Sequence, residues 1–338
     1  MKNLSLGLLL VCACATARPR PPALTWPPAP ARARVLYRGA VSGEGEVVDP
    51  SAWQRFASLF VGKSAPDLLQ APFAAAFDPA GRLLVTDRAR GAVVVIDRDH
   101  GEYRVLTPEG EHALLLPLGV AADAEGRIYV ADGGRKAVQV LAPDGQWLAR
   151  LDAGGALQRP TGVAVDRARK LLYVVDTPAH LVRVLTLEGA PLRVLGRGHG
   201  SGPGELSFPT FVAVDAAGRA FVNDTMNFRV AIFEPDGSFA SAFGHAGNGS
   251  GDLDRPKGIA ADAAGRVYVA DTLFDNFQIF DDGGRLLLFV GEHGRGPGQF
   301  WMPAGLAVHG GEVAVVDTGN ARVLFFEVAP DGLPGEAP

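Results

Sequence analysis

From residue 72 to residue 328 the chain runs in short apolar stretches, each broken by a polar turn, and the stretches come in similar sets. The clearest are PTGVAVDRARKLLYVVDT (160–177), PTFVAVDAAGRAFVNDT (209–225) and PKGIAADAAGRVYVADT (256–272). Each holds two short alternating apolar runs, the pattern of paired β-strands. The runs are joined by Asp-x-x-Gly, as in Asp215 to Gly218 and Asp262 to Gly265. Aspartate bonds nearby backbone amides and glycine accepts the left-handed position of such a turn. Arg169 takes the glycine place in the third set, and His309 the aspartate place in the last. A further aspartate closes every pair of runs: Asp87, Asp132, Asp176, Asp224, Asp271 and Asp317. A third run such as RVAIFEPDG (229–237) follows, then a fourth such as SFASAFG. Pro72, Pro117, Pro160, Pro209, Pro256 and Pro303 open the sets at intervals of 43 to 49 residues. Six copies of four antiparallel strands predict radial repetition, a propeller.

The pattern GVAVD, GRVYVADT, NFRVAIFEPDG and FASAFG resembles the NHL repeat. The resemblance covers about residues 71–330 and implies an all-β fold, a six-bladed β-propeller. The sixth copy ends at RVLFFEVAPDGLP without a fourth strand, which leaves an edge open to aggregation. ARVLYRGAVSGEGEV (33–47) is similar to the fourth strands and their glycine-rich exits. The N-terminal segment is therefore predicted to pair onto blade six and close the ring, giving a propeller over 33–330. HGRGPGQF (293–300), with its relatives HGSGPGEL (199–206) and GNGSGDL (247–253), reads as a crossover between blades. A phosphate-binding glycine loop would open a helix, whereas Trp301 to Val308 is short and strand-like.

The N-terminus differs from this body. Met1-Lys2 precedes an apolar run, Leu4 to Val11, too short to span a bilayer and typical of an export signal. Val11-Cys12-Ala13-Cys14 resembles the bacterial lipoprotein signal, which implies a signal peptide over 1–13 and lipidation of Cys14. Ordinary cleavage near Ala15 to Ala17 is the alternative. Ala15 after Cys14, in place of aspartate, points to the outer membrane. Residues 14–32 are rich in proline and read as an extended tether, reaching up to roughly 55 Å at about 3.1 Å per residue. Residues 49–62 put Trp53, Phe56 and Phe60 at helical spacing, a short helix that packs on the propeller or offers a docking surface. Residues 331–338 read as a flexible tail. Cys12 and Cys14 are the only cysteines, so the body has no internal disulfide, and the haem-attachment motif C-x-x-C-H is absent. A net charge of -5 gives no pull toward nucleic acid.

Because strands alternate direction, the crossovers and the loops after the second strands share one face, the expected recognition surface. Its loops carry Arg88, Arg90, Arg135, Lys136, His180, Asn227, Arg229, Asn276 and Arg322. The first four form a basic sector on blades one and two, suited to an anionic ligand or equally to ordinary solvated loops. Arg229 and Arg322 lie in Asn-x-Arg triplets and have a structural reading, bonds to Asp224 and Asp317. His199, His245 and His293 occupy successive crossovers, where convergence on a metal is conceivable but loop punctuation reads better. Asn223 with Asp224 falls far short of the six to eight oxygens that calcium takes. The innermost strands begin Pro-Phe-Ala, Pro-Leu-Gly, Pro-Thr-Gly, Pro-Thr-Phe, Pro-Lys-Gly and Pro-Ala-Gly. They supply Thr161, Thr210 and Lys257 but no carboxylate or imidazole, and no Gly-x-Ser-x-Gly or His-Glu-x-x-His occurs. The leading expectation is a non-catalytic, monomeric scaffold without cofactor, which recognises an envelope protein or an anionic polysaccharide. Resemblance to exported bacterial propellers implies a link to multihaem cytochrome systems. The alternative is a lactonase-like hydrolase or lyase using calcium or zinc at the channel mouth. Cys14→Ser is expected to move the protein from the membrane to the soluble fraction, and unchanged membrane association would rule out lipidation there.

Overall fold

The computed structural model describes residues 24–28, 30–48 and 67–329. The expected signal peptide, Cys14, most of the tether, the 49–62 helix and the C-terminal tail lie outside them. The described chain forms six antiparallel sheets around an axis. Blade one is Pro72–Phe77, Leu83–Asp87, Ala92–Asp97 and Glu102–Leu106, from the axis outward. Blades two to five repeat this over 117–151, 160–195, 212–243 and 256–290. Among the described residues no helix is long and apolar enough to cross a membrane.

Blade six has Pro303–His309, Glu312–Asp317 and Arg322–Val328 from the C-terminal end of the chain. Its fourth strand is Val35–Val41, antiparallel to Arg322–Val328, with Val35 opposite Val328 and Val41 opposite Val323. The ring is thus closed by the chain's own front end, as the truncated last repeat requires. One feature departs from the expected tether. Thr25–Trp26 adds a fifth strand outside Val35–Val41, and the Trp26 ring meets Phe326 edge-on at 5.6 Å. This short strand covers the Val35–Leu36 end of the edge that Val35–Val41 presents.

Five of the six innermost strands open on a buried proline, whose missing N–H costs nothing at a strand start, whereas in blade four the strand begins at Val212, three residues after the buried Pro209. Blades are stitched by threonines in the second-strand exits. Thr177, Thr225, Thr272 and Thr318 donate to the carbonyls of Pro209, Pro256, Pro303 and Pro72, at 2.6, 2.9, 2.8 and 2.8 Å. The last of these joins blade six to blade one. In blade one Thr86 reaches the Leu118 carbonyl instead, at 2.7 Å. Close approach of neighbouring innermost strands requires glycine in Pro-x-Gly. A Cβ on Gly162 would sit 2.6 Å from the Thr210 carbonyl oxygen. Between blades, Tyr129, Tyr173 and Tyr268 are fully buried at equivalent second-strand positions, each such apolar ring contributing about 1.5–3 kcal/mol. Deleting residues 33–47 strips Arg322–Val328 of its partner and removes the buried Val35 and Val41, worth about 1.5–3 kcal/mol each. A markedly lower melting temperature or aggregation is expected, and an unaltered melt would show that the ring closes otherwise.

Candidate recognition face and channel mouth

The six aspartates that end the second strands are fully buried. Each points back at the crossover that precedes its own blade. Asp132 accepts the backbone N–H groups of Leu115 and Leu116, both at 2.9 Å, and of Gly134 and Arg135 at 3.0 and 3.1 Å. Asp87 does the same for Gln70, Ala71, Ala89 and Arg90. Asp271 serves Asp254, Arg255, Leu273 and Phe274. One carboxylate offers about four acceptor sites, which matches the amides that the crossover and the following turn leave without ladder partners. Burial pushes Asp271 and Asp317 above the usual carboxylate range, opposed by these bonds.

The Asn-x-Arg triplets complete the same device in blades four and six. Asp224 accepts from Ser207 N–H at 2.5 Å, Asn227 Nδ2 at 2.7 Å and Arg229 Nε at 2.8 Å. Arg229 then donates to the Ser201, Gly202 and Glu205 carbonyls, filling the glycine-rich crossover. Arg322 repeats this with Asp317 and the carbonyls of Arg295, Gly296 and Gln299. HGRGPGQF is therefore a folded crossover wrapped around a guanidinium, with Gln299 Oε1 accepting Gly296 N–H at 2.9 Å.

Arg88, Arg90, Arg135 and Lys136 lie on the expected face, each in a different setting. Arg90 is paired with Asp67 and donates to the Leu68 carbonyl at 2.9 Å. Arg135 Nε donates to the Ala113 carbonyl at 2.6 Å. Lys136 is exposed in a left-handed turn position, φ 53°. Arg88 turns inward to the axis. Asn276 begins the third strand of blade five opposite Asp271, with its Oδ1 buried and unbonded.

The histidines do not converge. His180 Nδ1 accepts Phe208 N–H at 3.1 Å, and its ring lies 4.4 Å from His199 and 4.6 Å from Phe208. Burial and the His199 neighbour hold its pKa below the ordinary histidine value. His245 pairs with Asp252 at 2.8 Å within its own crossover, and His293 pairs with Asp275, in the second-to-third-strand loop of blade five, at 2.7 Å. Asn223 turns its amide nitrogen to the Lys257 and Gly258 carbonyls, at 2.6 and 3.3 Å, tying blade four to blade five. With Asp224 already bonded to three donors, this pair does not fit a calcium ion. Among the described residues no three His, Cys, Asp or Glu side chains come together as metal ligands.

At the axis, Phe73 of blade one meets Phe211 of the opposite blade four, ring centroids 5.8 Å apart. These rings close the channel toward the loop face. Above Phe73 stand Arg88, with Cζ 4.5 Å from the ring centroid, and Lys257, with Nζ at 5.8 Å. Thr161 and Thr210 complete the rim, their hydroxyls bonded to Thr177 and Thr225 at 2.6 and 2.8 Å. Below the rings a cavity of about 370 Å³ opens to the other face, walled by small side chains such as Ala75, Ala121, Ala213 and Ala260. Arg167 crosses its mouth, donating to the Ala122 and Phe77 carbonyls at 3.0 and 2.7 Å. Asp166 and Asp215, beside this cavity, are paired with Arg169 and Arg219.

Sequence reasoning missed the apolar side of the face. Phe208 and Met226 of blade four, Leu273 of blade five, and Trp301 and Met302 of blade six are 38% to 49% exposed in crossovers and second-to-third-strand loops. They belong to three adjacent blades, and Leu68 and Leu115, in the crossovers into blades one and two, are 50% and 59% exposed on the same face. Single apolar residues inside glycine-rich loops were the available signal, and only the ring geometry assembles them.

The family model of the NHL repeat matches residues 114–141 and 300–326, in blades two and six. The chain carries NHL repeats in a six-bladed β-propeller. Among solved structures it is similar to a gluconolactonase from Xanthomonas campestris, with 20% identity, TM-score 0.59 and 87% of this chain and 98% of that chain covered. Virginiamycin B lyase from Staphylococcus aureus matches at 11% identity and TM-score 0.56, over 77% of this chain and 95% of that chain. A structure of the nidogen/laminin complex matches at 18% identity and TM-score 0.58, over 72% and 86%. At these identities the likeness carries the fold alone. No curated protein matches the sequence.

Asp132→Ala is expected to destabilise the propeller by roughly 2–3 kcal/mol, because buried amide donors lose their acceptor. Denaturant unfolding measures it, and a change below about 0.5 kcal/mol, the usual range for a surface position, would contradict the clamp.

Proposed function

We propose that this protein is a non-catalytic recognition propeller that binds a protein partner of the cell envelope through its loop face. The observation that carries the reading is the apolar sector of Phe208, Met226, Leu273, Trp301 and Met302 on a face whose loops are fixed from beneath. Protein interfaces centre on large aromatic, methionine and aliphatic side chains with a polar rim. A polysaccharide would favour flat aromatic platforms and hydrogen-bonding groups over leucine and methionine, so a protein is the better fit. Arg295, with Cζ 5.1 Å from the Trp301 ring, supplies a cation at the sector's edge. Multihaem cytochromes are one partner class, taken from the resemblance to exported relatives.

Two of the similar structures are enzymes by name, and a metal-dependent hydrolase or lyase is the corresponding reading for this chain. It would need free carboxylates or imidazoles at the axis; the loop-face mouth is aromatic, hydroxylic and cationic, and of the acidic and imidazole groups at the other end, Asp166, Asp215 and His309, both aspartates are paired with arginines. That difference favours contact over chemistry.

A photo-crosslinking residue placed at position 273 in the native envelope is expected to give one discrete adduct. The same residue at position 192, exposed on the outer strand of blade three, is expected to give none. Leu273→Asp with Met302→Asp should abolish the adduct from a third loop-face position while shifting stability by no more than about 0.5 kcal/mol. Equal crosslinking from both positions, or an adduct indifferent to the double variant, would overturn the reading.

A further inference from the structure

We propose that the loop-face mouth of the central channel is a binding site for a single oxyanion, a carboxylate or phosphate group on a narrow stem, held between Arg88 and Lys257 above the Phe73 ring. The site does not rest on the partner reading, since a free oxyanion and one carried by a partner present the same group.

The two cations come from blades that are not neighbours. Arg88 follows the second strand of blade one, and its backbone N–H donates to the Ala71 carbonyl at 3.0 Å. Its guanidinium is thereby brought over Phe73, with Cζ 4.5 Å from the ring centroid. Lys257 is the second residue of the innermost strand of blade five. Its carbonyl is held by Asn223 Nδ2 at 2.6 Å, and its ammonium reaches to 5.8 Å from the same centroid. Blade six, which lies between them, has small residues, Ala304 and Gly305, after the proline that opens its innermost strand.

Neither cation has an ion-pair partner among the described residues, and Arg88 Nε is buried without any hydrogen-bond acceptor. The nearest carboxylate along the chain, Asp87, cannot serve, because its oxygens already accept four backbone amides. The rim hydroxyls of Thr161 and Thr210 are bonded to Thr177 and Thr225. Burial, opposed by Asp87, holds Arg88 below its ordinary basicity. Burial together with Arg88 and Arg255 does the same to Lys257. Two like charges gathered over one ring, partly desolvated and unpaired, are an arrangement that an anion relieves. A planar guanidinium fork beside a lysine point charge suits an oxyanion with at least two oxygens, and the closed ring floor admits only its tip.

The test is titration of the full chain with phosphate, sulfate and acetate against chloride at matched ionic strength. The readouts are the Arg88 Nε–H and Phe73 ring resonances and the melting temperature. Saturable shifts at both residues and a rising melt are expected. Preference for acetate would identify a carboxylate, and preference for phosphate a phosphoryl group or free phosphate; either supports the site. Lys257→Met keeps the apolar stem and removes the repulsion. It is expected to melt no lower than the wild type without added anion, and to bind the preferred anion at least tenfold more weakly, about 1.4 kcal/mol. Leu273→Asp is expected to retain anion binding, which separates this site from the apolar sector. Wild-type anion affinity in Lys257→Met, or an Arg88 Nε–H resonance that does not respond, would overturn the proposal.

Discussion

Everything on the loop face depends on a buried carboxylate that accepts backbone amides from two directions. At the end of each second strand an aspartate with no solvent exposure reaches back to the crossover about 16 or 17 residues upstream. In blades one, two and five it also holds the turn that follows. Crossovers rich in glycine would otherwise be the softest part of the molecule, since glycine loses the most conformational freedom on folding. Burying a carboxylate is costly unless its lone pairs are satisfied, and in this fold the satisfying donors are the loop amides themselves. The carboxylate and the loop therefore order each other. Threonine bonds from blade to blade, ending with Thr318 to Pro72, extend that order around the axis.

A rigid face gives an apolar sector its value. Leu273, Trp301 and Met302 sit in segments whose backbone is held by Asp271, Asp317 and Asp275. Exposed apolar side chains on a preorganised backbone cost less to immobilise in a complex than the same side chains on free loops. The axis is separate in character. Phe73 and Phe211 shut it toward the loop face, Arg167 crosses its other end, and the wall between is mostly alanine and valine, with Asp166, Asp215 and His309 toward that other end. The two ends differ in charge: the loop-face rim carries Arg88 and Lys257, and the other end carries these two aspartates and the histidine beside Arg167.

Much of the fold was legible because local rules repeat. Proline at strand starts, aspartate at strand ends and Asp-x-x-Gly turns each have a near-neighbour cause, and six copies make the pattern plain. The missing fourth strand of blade six could be deduced from an edge that must be covered, and Val35–Val41 covers it. Asn227-Phe228-Arg229 and Asn320-Ala321-Arg322 were legible as structural for the same local reason. What escaped was non-local. Arg88 and Lys257 are 169 positions apart in the chain and meet only because the ring brings blades one and five to a shared axis. The settings of Arg90 and Arg135 also escaped, because their partners, Asp67 and the Ala113 carbonyl, lie in crossovers 22 or 23 residues away. Trp26, inside a proline-rich stretch, gave no strand signal of its own; its role follows from the apolar surface of Phe326 beside it.

Amide hydrogen exchange on the intact protein tests the central claim most directly. The N–H groups of Leu115, Leu116, Asp254 and Arg255 belong to crossovers yet bond to Asp132 and Asp271. They should open with the same free energy as the amides of strand Ile128–Asp132, as members of one cooperative unit. Exchange at the rate of unprotected loops, with the strands still protected, would show that the face is not held by its buried aspartates.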